Sequence, residues 1–520
     1  MPDWKARFDP IARPKHIVRI AMTYGALNLV DLVEHNSRMH GERLAFAFAE
    51  KRISHSEYER RTARLATGLA LAGVVPGDRC AIVANNCLEY VELLGASSRL
   101  GAIVVPINFR WSGSEVEHVL NETRPKVVFV SPLHLGLVTG AHFSGLACYV
   151  IGSRLAELPS MEELYVDGAH PAIFFDDAPL MMLFTAAVSG RPKGAVLSQR
   201  NLLTAANLTR LAWQLRPDDA NVGVLPLFHV TGIDMLLAVQ LAGGSTWLMP
   251  SFDAVEIVRS IGENAGSVMA TFPPMLERVL DAAAARPDAL ATLRVVSGID
   301  SFDIIRRLQA DHPTTHFWST YGQTETSGFV TLSPFDERPG SSGRPTLPGC
   351  VGIADDSGRL LTPGVVGEIV VRGPLVFQGY WSVHDNFAHQ RPETWHRTGD
   401  LGKIDANGYL WYLGPAGSKS LIKSGGENVY PAEVERVLLE HPAIAEAVVF
   451  GVPDEQWGEA VKAVCVLRPG HELDPEALIS FVGEHVARYK KPKLVEFARD
   501  LPRSAAGLID RIGAKRTFGK

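Results

Sequence analysis

The segment Phe184-Thr185-Ala186-Ala187-Val188-Ser189-Gly190-Arg191-Pro192-Lys193-Gly194 follows an apolar run, Pro179 to Phe184, and precedes a helix-like segment of period near 3.6 that opens at Asn201. Strand, then a loop of small and hydroxyl residues with one lysine, then helix is the build of a phosphate-gripping loop. Backbone N–H groups and hydroxyls surround an anion there, and the ammonium adds positive charge. The spacing is not that of Walker A, which places Gly-Lys-Ser/Thr after four intervening residues. A surface turn fixed by Gly190 and Pro192 is the other reading open at this point.

The flanking sequence sets this loop in an α/β frame. Arg61 to Ala72 and Glu89 to Leu100 have helical spacing, and between and after them Cys80 to Val83 and Ala102 to Val105 read as buried strands. Further strands are expected at Lys126 to Val130, Val222 to Leu225, Ser245 to Met249, Ser267 to Thr271 and Leu293 to Ser297, most followed by helix-like sequence. Such alternation implies doubly wound parallel sheet. Ligands bind such sheets at the carboxyl ends of strands, where the opening loop falls.

Beyond Arg338 the texture changes. A turn-rich connection, Arg338 to Pro345, leads into short strands broken by Gly and Pro from Val351 to Trp381, with Gly367 to Arg372 half-buried β, so a β-rich subdomain is expected. Gly414 to Ser418 makes a flexible break. Pro431 to Leu439, Ile444 to Val452, Val461 to Leu467 and Pro475 to Val486 then suggest a compact α+β unit of about a hundred residues.

The 520 residues exceed one compact core. A net charge of -6 gives no reason to expect nucleic acid, so small molecules are the expected partners. Five scattered cysteines, Cys80, Cys87, Cys148, Cys350 and Cys465, show no CxxC pair and no zinc spacing, which points to reduced thiols. The polar N-terminal stretch with Arg7, Asp9 and Arg13 lacks a signal-peptide core, and no stretch is long and apolar enough to span a membrane. A cytoplasmic location is expected, and a homodimer is compatible with these features.

Five more stretches join the first: Leu225-Pro226-Leu227-Phe228-His229, Tyr321-Gly322-Gln323-Thr324-Glu325-Thr326, Arg397-Thr398-Gly399-Asp400, Lys423-Ser424-Gly425-Gly426-Glu427-Asn428-Val429-Tyr430-Pro431 with Glu433, and Tyr489-Lys490-Lys491-Pro492. In this order, across nearly the whole chain, they resemble the acyl- and aryl-CoA synthetases of the AMP-forming adenylate superfamily. The resemblance implies a large N-terminal adenylation domain, 1–413, and a mobile C-terminal lid, 414–520. It implies activation of a small carboxylic acid with ATP and Mg2+ to an acyl-adenylate, then transfer to CoA with AMP released. A carboxylate is a poor electrophile, and the acyl phosphate supplies a leaving group.

Carried over by position, Thr185, Ser189, Gly190 and Lys193 would hold the ATP phosphates, Thr324 would contact the bound nucleotide, and Glu325 in the same motif would ligand Mg2+. Asp400 would accept from the ribose hydroxyls. Tyr321 would flank adenine with Gly298 nearby, though the adenine-side loop usually reads Gly-Gly-Ala-Pro and here reads Ser297-Gly298-Ile299-Asp300. His229 would lie near the substrate carboxylate. Lys423 matches a lysine used in the thioester-forming conformation, with Gly425 and Gly426 allowing close backbone approach as the CoA arm enters. Glu427 and Tyr430 would fix that loop. For Tyr489 to Lys491, a solvated basic face explains the lysines as well as contact with CoA phosphates.

Three departures from the family pattern stand out. The phosphate loop usually reads Thr-Ser-Gly-Thr-Thr-Gly, and here Ala186-Ala187-Val188 fill its middle. The hinge arginine is replaced by Pro415, or by Gly417 if aligned backwards from Lys423. The usual Gly-Lys-Ile reads Gly507-Leu508-Ile509, so the lysine that bridges acyl carboxylate and α-phosphate is lost, with Arg511 and Lys515 near in sequence. These departures imply slow adenylation on a retained thioester step. A non-catalytic acyl-CoA or nucleotide sensor is the second reading. Ala270 to Pro274, with Phe272, and Trp318 to Thr320 would line an apolar acyl tunnel suited to fatty or aromatic acids, with no arginine for a second carboxylate.

Overall fold

The computed structural model describes residues 28–138, 146–155, 157–168, 177–185, 192–382, 386–387, 393–415, 421–503 and 509–519. Two large sheets carry the N-terminal part. In the nine-stranded one, Leu44–Phe48, Ser245–Leu248, Ala220–Gly223, Val268–Thr271, Val295–Gly298 and His316–Gln323 lie parallel side by side, with antiparallel strands at both edges. In the eight-stranded one, Pro179–Thr185, Ile103–Pro106, Arg79–Val83, Val127–Val130 and Ala147–Val150 are parallel. This is the doubly wound α/β architecture that the alternating pattern implies.

Strand periodicity divides the core. Cys80 and Ile82 join a cluster that also draws Phe46 and Val295 from the other sheet and Leu93, Leu203 and Leu236 from helices. Their neighbours Ala81 and Val83 point the opposite way, onto Val116 and Val119 of the helix Gly113–Thr123. Successive strand residues face opposite sides, so a fully apolar run means both faces are covered.

Some boundaries differ from the sequence reading. The strand expected at Val222 to Leu225 is Ala220–Gly223, because its register is set by pairing with Ser245–Leu248, and the chain turns after it, with Val224 N donating to Val222 O. The helix expected from Arg61 begins at His55, where Ser54 accepts from the Glu57 N–H as N-cap. A four-stranded antiparallel sheet, Val351–Ala354, Gly367–Val371, His396–Ile404 and Leu410–Pro415, forms the β-rich subdomain. The C-terminal part is a five-stranded sheet packed on the helices Pro431–Glu440 and Pro475–His485.

Candidate active site

At the carboxyl end of His316–Gln323 the chain makes one 3-10 turn, Thr324–Thr326, before returning as Gly328–Pro334. The Gln323 N–H donates to Thr326 Oγ1 at 3.0 Å and the Ser327 N–H to Thr324 O at 3.0 Å, which fixes the turn and aims Glu325. Glu325 is 8% exposed. Its Oε1 accepts from the Thr185 hydroxyl at 3.2 Å and the Tyr380 hydroxyl at 2.6 Å, while the Lys193 ammonium lies 5.5 Å above the Tyr380 ring. Residues from two distant motifs thus meet around Tyr380. No spacing marked that tyrosine in the sequence.

Among the described residues no cation pairs with Glu325, and no cluster of three or more metal-ligating side chains occurs. A single, nearly buried carboxylate beside Thr185 and close to Lys193 fits Mg2+, which is held by one or two carboxylates together with substrate phosphates.

A second group surrounds Asp400. Its Oδ2 accepts from the Tyr321 hydroxyl at 2.8 Å and from Gln323 Nε2 at 3.4 Å. Burial, then the charge of Asp400, pushes the Tyr321 phenol well above its ordinary pKa, so it stays a donor. The Tyr412 ring lies 5.8 Å from Tyr321, and the Lys423 ammonium lies 5.6 Å from Tyr412. Pro415 pairs directly across from Asp400, so that position brings no donor to the carboxylate. At Gly298, φ is +146° and an added Cβ would sit 2.0 Å from Thr271 O, which only glycine tolerates.

The loop Gly425-Gly426-Glu427 faces this region. A Cβ on Gly425, at φ +58°, would strike the Trp457 ring at 2.5 Å, and one on Gly426, at φ +83°, would stand 3.6 Å from Phe272 Cβ. Glu427 accepts from Arg110 Nη1, and its Oε2 lies 3.5 Å from His229 Nε2. Burial would raise the Glu427 carboxyl, but His229 and Arg110 overcome it and hold the pKa at about 2. His229 keeps a side-chain exposure of 46%, beside Phe228. It is not a closed core residue.

Sequence reasoning missed a third group. The Lys490 side chain is 1% exposed, with its ammonium 2.6 Å from Glu115 Oε1 and 3.2 Å from Glu433 Oε2. Of the two readings open for Tyr489 to Lys491, a solvated basic face and contact with CoA phosphates, the solvated face does not hold at Lys490, which is buried and pairs with Glu115 and Glu433 in the joint between the two parts of the chain. Ser189, Gly190, Gly417 and Leu508 lie outside the described residues.

An apolar cavity lies behind the strand ends, lined by Leu225, Leu227, Met235, Leu236 and Ala270 among others. At about 10 Å3 it is too small for an acyl chain.

The profile of the AMP-binding enzymes matches residues 33–381, and that of the AMP-binding enzyme C-terminal domain matches 433–508. A feruloyl-CoA synthase of Amycolatopsis is 34% identical over 475 residues, covering 90% of this chain and 94% of its own. An indoleacetate–CoA ligase of Aromatoleum aromaticum is 32% identical over 510 residues, covering 95% and 99%. Among solved structures, a double mutant of the o-succinylbenzoate CoA synthetase of Bacillus subtilis, bound with its product analogue OSB-NCoA, superposes with TM-score 0.81 at 27% identity, covering 93% of this chain and 98% of that one. ATP-bound MatB of Rhodopseudomonas palustris gives TM-score 0.68 at 29% identity, covering 95% and 99%.

The chain belongs to the AMP-binding enzyme family. Within that family it is an AMP-forming acid–CoA ligase, with ATP and CoA as substrates.

Proposed function

We propose that the chain ligates an apolar carboxylic acid, aromatic or fatty, to CoA, and that it is slow in adenylation while retaining the thioester-forming step. The observation that carries this is the loop after Lys423, which is turned into the large unit, with Gly426 against Phe272 and Glu427 against His229.

In this reading 1–413 is the adenylation unit and 414–520 the lid. Thr185, Ser189, Gly190 and Lys193 hold the phosphates. Glu325, positioned by Thr324 and the hydroxyls of Thr185 and Tyr380, holds Mg2+, which neutralises phosphate charge when bound. Asp400 accepts from the ribose hydroxyls while Tyr321 and Gly298 flank the adenine. His229 stands at the mouth of the acyl site and faces the point where the CoA thiol arrives. Lys423, Gly425 and Gly426 line that arrival. With Leu508 in place of lysine and Pro415 or Gly417 in place of arginine, neither position supplies a preorganised cation to the developing charge between carboxylate and α-phosphate.

The walls around Ala270 and Phe272 favour aromatic and fatty acids, and the acids named for the two relatives are aromatic. Pyrophosphate exchange across a panel of aromatic, fatty and dicarboxylic acids tests the substrate class. Exchange should be strongest with apolar monoacids. A preference for malonate would overturn this reading, and firm acyl-CoA binding without exchange or ligation would favour the sensor.

A further inference from the structure

Lys490 sits between the first turns of two helices. Glu115 is the third residue of Gly113–Thr123, where its Oε2 accepts from the Ser112 N–H at 2.9 Å in a capping box, leaving Oε1 for the Lys490 ammonium. Glu433 is the third residue of Pro431–Glu440, the helix that begins directly after the loop Gly425 to Tyr430. One ammonium therefore ties a rigid helix start in the large unit to the helix start that carries the lid's site loop.

The surroundings reinforce the tie. Both the Trp111 and Tyr489 rings lie 5.7 Å from the ammonium, and Trp111 Nε1 donates to the Tyr489 hydroxyl at 3.3 Å. Ser112 and Ser114 hydroxyls each donate to His485 O at 3.1 Å, and Ala487 packs with Trp111 and Val116. Breaking one partner of a buried ion pair leaves the other charge stranded, so such a pair favours one geometry over others.

We propose that Lys490 is a positioning residue: shared between Glu115 and Glu433, it sets the lid angle at which Gly425 to Glu427 meet Phe272 and His229, and so governs the thioester-forming step without touching substrate. This rests on the ligase reading above. Displacing a site loop by about an ångström costs as much as a hundredfold in rate.

The test compares the intact wild-type chain with Glu115→Gln and Lys490→Met. Acyl-CoA formation from preformed acyl-adenylate and CoA should fall about tenfold to a hundredfold in kcat, with pyrophosphate exchange unchanged. Spin labels on the two units should show one distance in the wild type and a broadened distribution in the variants. Glu115→Gln leaves the lid sequence intact and answers if Lys490→Met does not fold. Equal losses in both half-reactions, or an unchanged thioester rate with one sharp distance, would overturn the role of Lys490. Absence of acyl-CoA formation by the wild type would instead count against the ligase reading, and the distance measurement would still judge the tie.

Discussion

His229 Nε2 stands 3.5 Å from Glu427 Oε2, joining the residue before the helix Val230–Leu241 to the loop of the lid. Because the Glu427 carboxyl falls from 4.5 to about 2 in the folded protein, the ionised carboxylate, paired with Arg110 throughout and with His229 where the imidazole is protonated, stabilises the docked lid above pH 4.5 and loses that effect as pH falls toward 2. Glu427→Gln should release the lid at neutral pH, and small-angle scattering should then report a larger radius. In the wild type the same expansion should occur only in acid. A lid equally compact in both proteins across this range would contradict the assignment.

Leu508→Lys should accelerate adenylation. Restoring a preorganised charge to an anionic transition state is worth about 3 to 4 kcal/mol, a factor of hundreds in rate. Arg511 is poorly placed to substitute, since its Nη2 lies 2.8 Å from both oxygens of Glu435. Stopped-time pyrophosphate release would show the gain, and no gain would count against the proposed cause of slow adenylation.

Gly298→Ala should abolish ATP binding. The added methyl would meet Thr271 O at 2.0 Å at a φ that side chains rarely adopt. Calorimetric titration with ATP should lose its signal while acyl-CoA binding persists. Retained ATP affinity would place the nucleotide elsewhere.

How much of this could be read beforehand varied with the range of the interaction. Strand and helix alternation is local, so the sheets were legible from periodicity, and ordered motifs marked Thr185, Lys193, Glu325 and Asp400 as candidates. Tyr380 was not, because only the pairing of Gly379–Ser382 with the strand Lys193–Ser198 brings it to Glu325. The burial of Lys490 was not legible, and a solvated face or CoA phosphate contact stayed open for it, because neither Glu115 nor Glu433 lies near it in sequence. Burial by a distant partner leaves no periodic trace.

Asp234 offers a test of fold energetics. It is buried in Val230–Leu241, with the Thr209 hydroxyl donating to Oδ2 at 2.8 Å, and burial raises its carboxyl from 3.8 to about 7. Folding therefore favours the protonated acid, and its stabilising effect is present at low pH and lost as pH rises through 7. Asp234→Asn should melt higher than wild type at about pH 8, with the difference shrinking at about pH 5. A gap independent of pH would refute the buried-acid assignment.

The central claim is that this ligase keeps its thioester step while adenylation is slow. Rapid mixing of purified protein with preformed aryl- or fatty acyl-adenylate and CoA tests it most directly. Acyl-CoA should form much faster than in the full reaction started from acid, ATP and CoA, and Lys423→Ala should slow that formation. If the protein binds both the adenylate and CoA and yields no acyl-CoA, the claim is wrong.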